Sequence, residues 1–393
     1  MDSEGNLHNA VSSPISLTEE TIARTLTTLS LSNYTRPQLP TLPLDLISEI
    51  LCRLPVKLLL QFRCVCKSWN SLITDPIFAG QHLRLSTKLL VHTSTYSYLS
   101  HLPSMYVLKS YPLNSVFTDV TTNHITQHEF PSDRYVYFVG SFNGIICLAT
   151  DYGGFVTVEL WNPSIRKFKE LPSLGKQQNP YQVLMMYGFG YDAIFNDYKV
   201  VVILKHTDNF VDSHELKVHT LGTNVWKSIQ KFPFDYDVRQ PSGNFMHGTI
   251  NWLVSSKNKN PPLIVSLDLK NESCKEISLP AGYGVDAYKY LQLGVLRDSL
   301  CIVIGHDVWV MKEHGNQDSW TKLFTISCMR NFNKCHATFK VLHMFEDGQV
   351  LLKYRKRLTW KLMFYNSRNG TFKFTKVENM FEVCIESLIS PCS

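Results

Sequence analysis

Between residues 143 and 354 the chain repeats itself. Five times a short polar turn feeds a strongly apolar run: Asn143-Gly144 before IICLA, Asn196-Asp197-Tyr198 before KVVVIL, His247-Gly248 before TINWLV, Arg297-Asp298-Ser299 before LCIVIG, and Glu346-Asp347-Gly348 before QVLLKY. Within these turns Gly144, Tyr198, Gly248, Ser299 and Gly348 lie 54, 50, 51 and 49 residues apart. A second landmark, an apolar or aromatic residue beside a lysine, follows a strand and a polar turn. It recurs at Phe168-Lys169, Trp226-Lys227, Cys274-Lys275, Trp320-Thr321-Lys322 and Phe372-Lys373, in steps of 58, 48, 46 and 52. Two independent signals with one period, about 50 residues, predict sheets of four strands stacked radially around an axis. The physical sense is that a sheet with two apolar faces cannot cover both alone, whereas neighbouring sheets cover one another.

The rest of the C-terminal part fits the same scheme. From Lys88 onward β-branched and aromatic residues come in short runs separated by Gly, Asn, Asp and Pro. Leu89 to Thr118, with LLVHT and MYVLKSYPL as strands, supplies a further unit, so about six blades are expected, within a range of five to seven. The final run FEVCIESLIS, Phe381 to Ser390, is expected to close the ring by pairing near Leu89. Trp161, Trp226, Trp252 and Trp320 sit inside the repeated strands and are expected to pack between blades. Specificity for a ligand is expected in loops such as Asn209–His214, Tyr236–Gly243, Ser255–Pro262 and Glu313–Ser319. The basic run Lys353-Tyr354-Arg355-Lys356-Arg357 reads as a solvated strand edge, where lysines discourage edge pairing.

Thr41 to Ser86 has a different character. Leu46, Ile47, Ile50, Leu51 and Leu54 have helical spacing. Pro43 suits a first helical turn, and Asp45 and Glu49 favour the positive end of its dipole. Pro55 stops that helix and can start the next. Val65, Trp69, Leu72 and Ile73 form a second stripe, closed by Asp75-Pro76. Two or three short helices are expected. A module of about 45 residues buries only ~60% of its unfolded surface, yet this one also holds Leu42, Leu44, Leu58, Leu59, Leu60 and Phe62. Surplus apolar surface points to a partner.

These residues carry a resemblance. Leu42-Pro43-x-Asp45-Leu46-x-x-Glu49-Ile50-Leu51-x-x-Leu54-Pro55-Val56-Lys57, followed by Phe62-Arg63-x-Val65-x-Lys67-x-Trp69, resembles the F-box. Further along, GSFNGIICL, LWNPSIRKFKELP and YGFGYDAIFNDYKVV resemble the F-box-associated, kelch-like interaction domain of plant F-box proteins, including the S-locus-like group. The resemblance implies a small all-α F-box, residues 40–86, before a large all-β propeller-like domain, 87–390; residues 1–39 are read from their composition as a disordered leader. It implies docking on a Skp-type adaptor, and through it on a cullin, by Leu42, Pro43, Leu46, Ile50, Leu51, Leu54, Pro55, Leu60, Val65 and Trp69. Arg63 and Lys67 would face the adaptor's acidic surface. Some of these residues must instead hold the module together, and spacing does not divide them. The implied role is a non-catalytic substrate receptor of a ubiquitin ligase; the alternatives are a non-degradative adaptor and a propeller lectin or enzyme.

Composition narrows the classes. The net charge of +6, from 39 basic and 33 acidic residues in 393, is not gathered into one long run, so nucleic acid is not the expected partner. No apolar run approaches the ~18 to 20 residues that cross a bilayer. Ten cysteines without framework spacing, and no charged-then-apolar signal segment, point to the cytosol or nucleus. The leader is rich in Ser, Thr, Asn and Pro, although Ile22, Leu26 and Leu29 have the spacing of a short helix.

Motifs for chemistry are near misses, and no cofactor or metal is expected. His214-Glu215-x-x-x-His219 has three residues after the glutamate where a helical zinc motif has two, and the local sequence is strand-like. Cys328, Cys335 and His336 lack paired C-x-x-C spacing, and Cys64-x-Cys66 is too tight for a knuckle; buried or part-buried thiols are expected there. Gly188-Phe189-Gly190 reads as a turn rather than a dinucleotide loop.

Overall fold

The computed structural model describes residues 42–96, 105–113, 126–130, 135–152, 155–174, 183–208, 211–229, 236–256, 261–327, 338–356, 359–378 and 381–392. The leader, Cys328, Cys335 and His336 lie outside them. The chain divides into two compact units, Met1–Ile47 and Ser48–Ser393. Of the first, only residues 42–47 are described, and they hold the opening of a helix.

Four helices are described: α1 (Leu44–Leu51), α2 (Val56–Phe62), α3 (Lys67–Thr74) and α4 (Pro76–Leu85). The number exceeds the expected two or three because Asp75-Pro76 starts a helix as well as ending one. The Asp75 carboxylate accepts the Ile77 amide at 2.7 Å, and Pro76 takes the first helical position, where a missing N–H costs nothing. The stripe from Val65 to Ile73 is also broken. After Phe62 the amides of Cys64 and Val65 bond carbonyls only three residues back, and Cys66 is extended. Cys, Val and Cys in succession are weak helix formers. Cys64 and Cys66 are therefore exposed in a link between helices, not buried on one.

The helices lead into six sheets. Blade one holds β1 (Lys88–Tyr96), β2 (Met105–Pro112) and β3 (Thr126–Phe130). Blade two holds β4 (Tyr135–Phe142), β5 (Ile145–Tyr152), β6 (Phe155–Asn162) and β7 (Lys167–Glu170). Blade three holds β8 (Val183–Asp192), β9 (Asp197–Asp208), β10 (Val211–Thr220) and β11 (Trp226–Ile229). In blade four the first strand is split into β12 (Tyr236–Val238) and β13 (Asn244–Met246), which both pair with β14 (Thr249–Ser256), followed by β15 (Leu263–Asp268) and β16 (Ser273–Ser278). Blade five holds β17 (Gln292–Leu296), β18 (Ser299–Ile304), β19 (Asp307–Met311) and β20 (Trp320–Thr325). Blade six holds β21 (Thr338–Met344), β22 (Gln349–Lys356), β23 (Thr359–Asn366) and β24 (Phe372–Glu378). The last strand, β25 (Phe381–Ile385), returns to blade one and pairs antiparallel with β1, Lys88 opposite Ile385 and Leu90 opposite Val383. The expected closure is thus observed, and the innermost strands β25, β4, β8, β13, β17 and β21 neighbour one another in a complete ring.

The five repeated apolar runs form the second strand of blades two to six, one place out from the axis. That strand has a neighbour on both edges and a blade against both faces, which is why it is largely apolar on both faces rather than at alternate positions. On β5, Ile145, Cys147 and Ala149 join the core shared with blade three, while Ile146 and Leu148 join the core shared with blade one. On β18, Leu300, Ile302 and Ile304 face blade four, and Cys301 and Val303 face blade six. Six such clusters fill the six interfaces. Trp161 and Trp252 are buried in them; Trp226 and Trp320 are part-buried and reach across to the Pro172 and Ser278 carbonyls of the preceding blades, at 2.7 and 3.0 Å.

Two expectations fail for tertiary reasons. Gly188-Phe189-Gly190 is part of β8, not a turn. A Cβ on Gly188 would meet Ile250 at 2.5 Å and one on Gly190 would meet Phe245 at 2.3 Å, so the pair lets β8 approach blade four. Lys353, expected on a solvated edge, is 4% exposed on an inner strand, with its ammonium against Glu382 and 5.2 Å above the Trp360 ring. Arg355 is exposed, and Arg357 lies outside the described residues.

Candidate functional site

The helical region buries some of its apolar residues and leaves others exposed. Leu51, Cys52, Val56, Leu58, Leu59, Phe62, Ile73, Phe78 and Ala79 are buried. In the first unit Leu42, Leu44 and Leu46 are 56%, 63% and 47% exposed; in the second, Ile50, Val65, Ile77 and Leu85 are 53%, 57%, 73% and 58% exposed. Pro43, Pro55, Arg63 and Lys67 are also exposed, whereas Leu54, Leu60 and Trp69 are part-buried, Trp69 edge-on to Phe62 at 5.6 Å. Of the twelve residues the F-box resemblance singles out, Leu51 alone is fully buried, at 2%. Arg63 is held in place by the Asn70 side chain, which accepts its Nε–H at 3.0 Å. Cys66, at the start of α3, has its thiol pKa lowered by the Ser68 hydroxyl and the Trp69 amide.

Within the second unit, the helices are fastened to the propeller by a residue that spacing does not reveal. Glu386, 5% exposed just after β25, accepts the amide of Val56 at 3.2 Å and the Thr87 hydroxyl at 2.8 Å, while its own amide donates to the Thr87 carbonyl. A carboxylate at the first turn of α2 satisfies an orphan amide and suits the positive end of the helix. His82 adds a tie inside the module, its Nε2 lying 2.9 Å from the Leu54 carbonyl oxygen and its Nδ1 3.0 Å from the Ser86 hydroxyl. Glu386→Ala is expected to cost about 2 to 3 kcal/mol, because it leaves a buried amide without an acceptor. Urea unfolding measures it, and a loss below 1 kcal/mol on that scale, about the value of an exposed bond, would show that the clamp is not made.

Strand order fixes which loops share an end. First-to-second and third-to-fourth connections lie at the end where β1 begins and β25 stops, beside Thr87 and Glu386; the remaining connections lie at the far end. Of the four loops expected to carry specificity, two are accounted for internally. Glu313–Ser319 is a self-bonded turn at the near end, with Asn316 capping Asp318. Tyr236–Gly243 is drawn into the ring: Gln240 bonds Leu293 of blade five, Ser242 the Phe138 carbonyl of blade two, and Gly243 the Tyr187 carbonyl of blade three. For the other two, residues 209–210 and 257–260 lie outside the described residues.

The axis encloses a cavity of about 600 Å³ bounded by the innermost strands. Lys88, Arg297 and His343 stand at its near end, Lys88 Nζ 3.5 Å from His343 Nδ1. Lys340 and Glu382 lie deeper, and Glu382 is shared by Lys340, at 3.3 Å, and Lys353. Burial, with Lys88 and Arg297 alongside, pushes the His343 pKa down to about 4. Burial likewise lowers His219 and His314. The folded state therefore binds fewer protons than the unfolded chain once pH drops below the ordinary histidine value of about 6.5. Stability should be fully present above that pH and fall on the way to pH 4; His343→Gln should flatten the decline between pH 7 and 5, and a parallel decline in both proteins would contradict the assignment.

The near-miss metal motif is pulled apart by its strand. His214 and His219 lie on β10, five residues apart, and an odd separation sends them to opposite faces. Among the described residues no group of three or more His, Cys, Asp or Glu is placed to hold a metal ion, and no helix is long and apolar enough to cross a membrane.

Comparison with known proteins agrees with this geometry. Residues 39–79 match the F-box domain, and residues 93–390 match the F-box associated beta propeller domain. The F-box/kelch-repeat protein At3g23880 of Arabidopsis thaliana is 33% identical, over 89% of this chain and 96% of its own length. The F-box protein CPR1 and the F-box protein At3g07870 of the same plant are 27% and 26% identical, covering 90% and 89% of this chain and 89% and 91% of their own lengths.

Proposed function

The chain belongs to the F-box proteins that carry an F-box-associated β-propeller, and on that premise we propose that it is the substrate-recognition subunit of a Skp-cullin-F-box ubiquitin ligase. An F-box joined to a propeller is a substrate-adaptor architecture, and no enzymatic domain is indicated. The F-box, taken as residues 40–86, docks on a Skp-type adaptor and through it on a cullin; the propeller, taken as 87–390, holds a protein for ubiquitination and degradation in the cytosol or nucleus. The observation that carries this reading is that aliphatic residues the F-box resemblance assigns to docking are about half exposed: Leu42 and Leu46 in the first unit, and Ile50 and Val65 in the second, where Ile77 and Leu85 are exposed as well. Surplus exposed apolar surface of this kind points to a partner. Pro43, Leu54, Pro55, Leu60 and Trp69 extend the docking surface, Arg63 and Lys67 meet the adaptor's acids, and Leu51 supports the rest from inside.

The mechanism is proximity. A substrate lysine held beside a charged ubiquitin carrier reacts as if intramolecular, and each added fixed distance raises its effective concentration. The Glu386 clamp serves that purpose by limiting the freedom between α2 and the propeller. The test is depletion of the protein in cells, followed by quantification of the proteins that co-purify with the full chain. Clients should accumulate when it is removed; unchanged half-lives for every captured protein would make it a non-degradative adaptor instead.

A further inference from the structure

We propose that the axial cavity binds a small organic anion, a carboxylate carried on an apolar body. This does not depend on the adaptor role. The volume, about 600 Å³, falls within the range of small-molecule pockets. Its charge is unbalanced in one direction. Among the described residues the lining carries three cations, Lys88, Arg297 and Lys340, against two carboxylates, Asp298 and Glu382; Lys340 pairs with Glu382 at 3.3 Å, which leaves the excess at the near end. His343 stands between the two groups and stays neutral there, because burial and the flanking cations oppose its protonation. The near end is thus one negative charge short among the described residues, with Lys88 and Arg297 at the exposed mouth of the cavity.

The remaining wall explains why the anion should be organic. Phe142 and Phe245 meet edge to face at 4.7 Å on the lining, and Val295, Val341 and Val383 continue it. Inorganic phosphate would match the cations but leave this surface wet, whereas an aromatic or aliphatic acid covers both. Lys88, Arg297, Lys340 and His343 come from three consecutive blades, one, five and six, and converge on this lining.

Calorimetric titration of the full chain with 2-naphthoate, 2-naphthalenemethanol and inorganic phosphate tests this. Naphthoate should bind one to one, about tenfold or more tighter than the neutral alcohol, because only the acid meets the unbalanced cations. Phosphate at millimolar concentration should not displace it. Lys88→Gln with Arg297→Asn should weaken naphthoate by about tenfold or more and leave the alcohol unchanged; asparagine is chosen because Arg297 has φ 46, which Asn tolerates. Equal affinity for acid and alcohol, displacement by phosphate, absence of binding, or full naphthoate affinity in the folded double variant would each overturn the proposal. If the double variant fails to fold, the acid-to-alcohol comparison in the unaltered protein decides alone.

Discussion

Gly144→Ala is expected to destabilise the protein by about 2 to 5 kcal/mol, a large part of the margin of a typical domain. Two costs add. Gly144 has φ +77, a conformation that costs an L-residue roughly 1 to 2 kcal/mol. Its new Cβ would also lie 2.2 Å from the Ser387 Cβ and 2.7 Å from the Ile385 carbonyl oxygen, in the segment that closes the ring, and overpacking of that kind costs about 1 to 3 kcal/mol. Gly248 is the built-in control. It occupies the same place in the equivalent hairpin with the same φ of +77, yet nothing lies within 4 Å of its would-be Cβ. Gly248→Ala should therefore cost only the backbone part. Urea midpoints of the two variants separate the terms, and equal losses would mean that the chain end does not pack on blade two.

Ile50→Asp with Val65→Asp should lower affinity for a Skp-type adaptor by about 100-fold or more while leaving the melting temperature unchanged, since 2.7 kcal/mol is about a 100-fold change and a charge buried at an interface core costs at least that. The unchanged melting follows from exposure: both side chains are more than half wet in the free protein, so the carboxylates remain solvated there. Leu51→Asp contrasts with them. Its neighbour in sequence, Ile50, faces water, but Leu51 is 2% exposed, and a carboxylate at that position should melt the helices rather than weaken binding alone.

The propeller was legible because its defining property is local. Each second strand is apolar on both faces, so runs such as Ile145–Ala149 and Leu300–Ile304 stand out without knowledge of their partners. The closing strand was legible for a related reason: FEVCI has strand composition and nowhere else to pair. What escaped depends on contacts remote in the chain. Gly188 and Gly190 look like a turn until Ile250 and Phe245 arrive against them. Lys353 looks like a surface lysine until Glu382, 29 residues later, neutralises it. Glu386 carries no signal at all, since the amide it holds belongs to Val56, 330 residues earlier. In the helices, spacing found the right residues but could not sort them. Ile50 and Leu51 fit the same periodic stripe, and only the folded chain shows which one is covered: Leu51 is buried and Ile50 is not.

Light scattering after size exclusion, on the purified 45.1 kDa chain mixed with a Skp-type adaptor, addresses the docking surface most directly. A single species with the mass of one chain plus one adaptor is expected, reverting to two separate species when Ile50 and Val65 are both aspartate. Separate elution of the unaltered proteins, or a complex that survives both substitutions, would contradict docking through these helices.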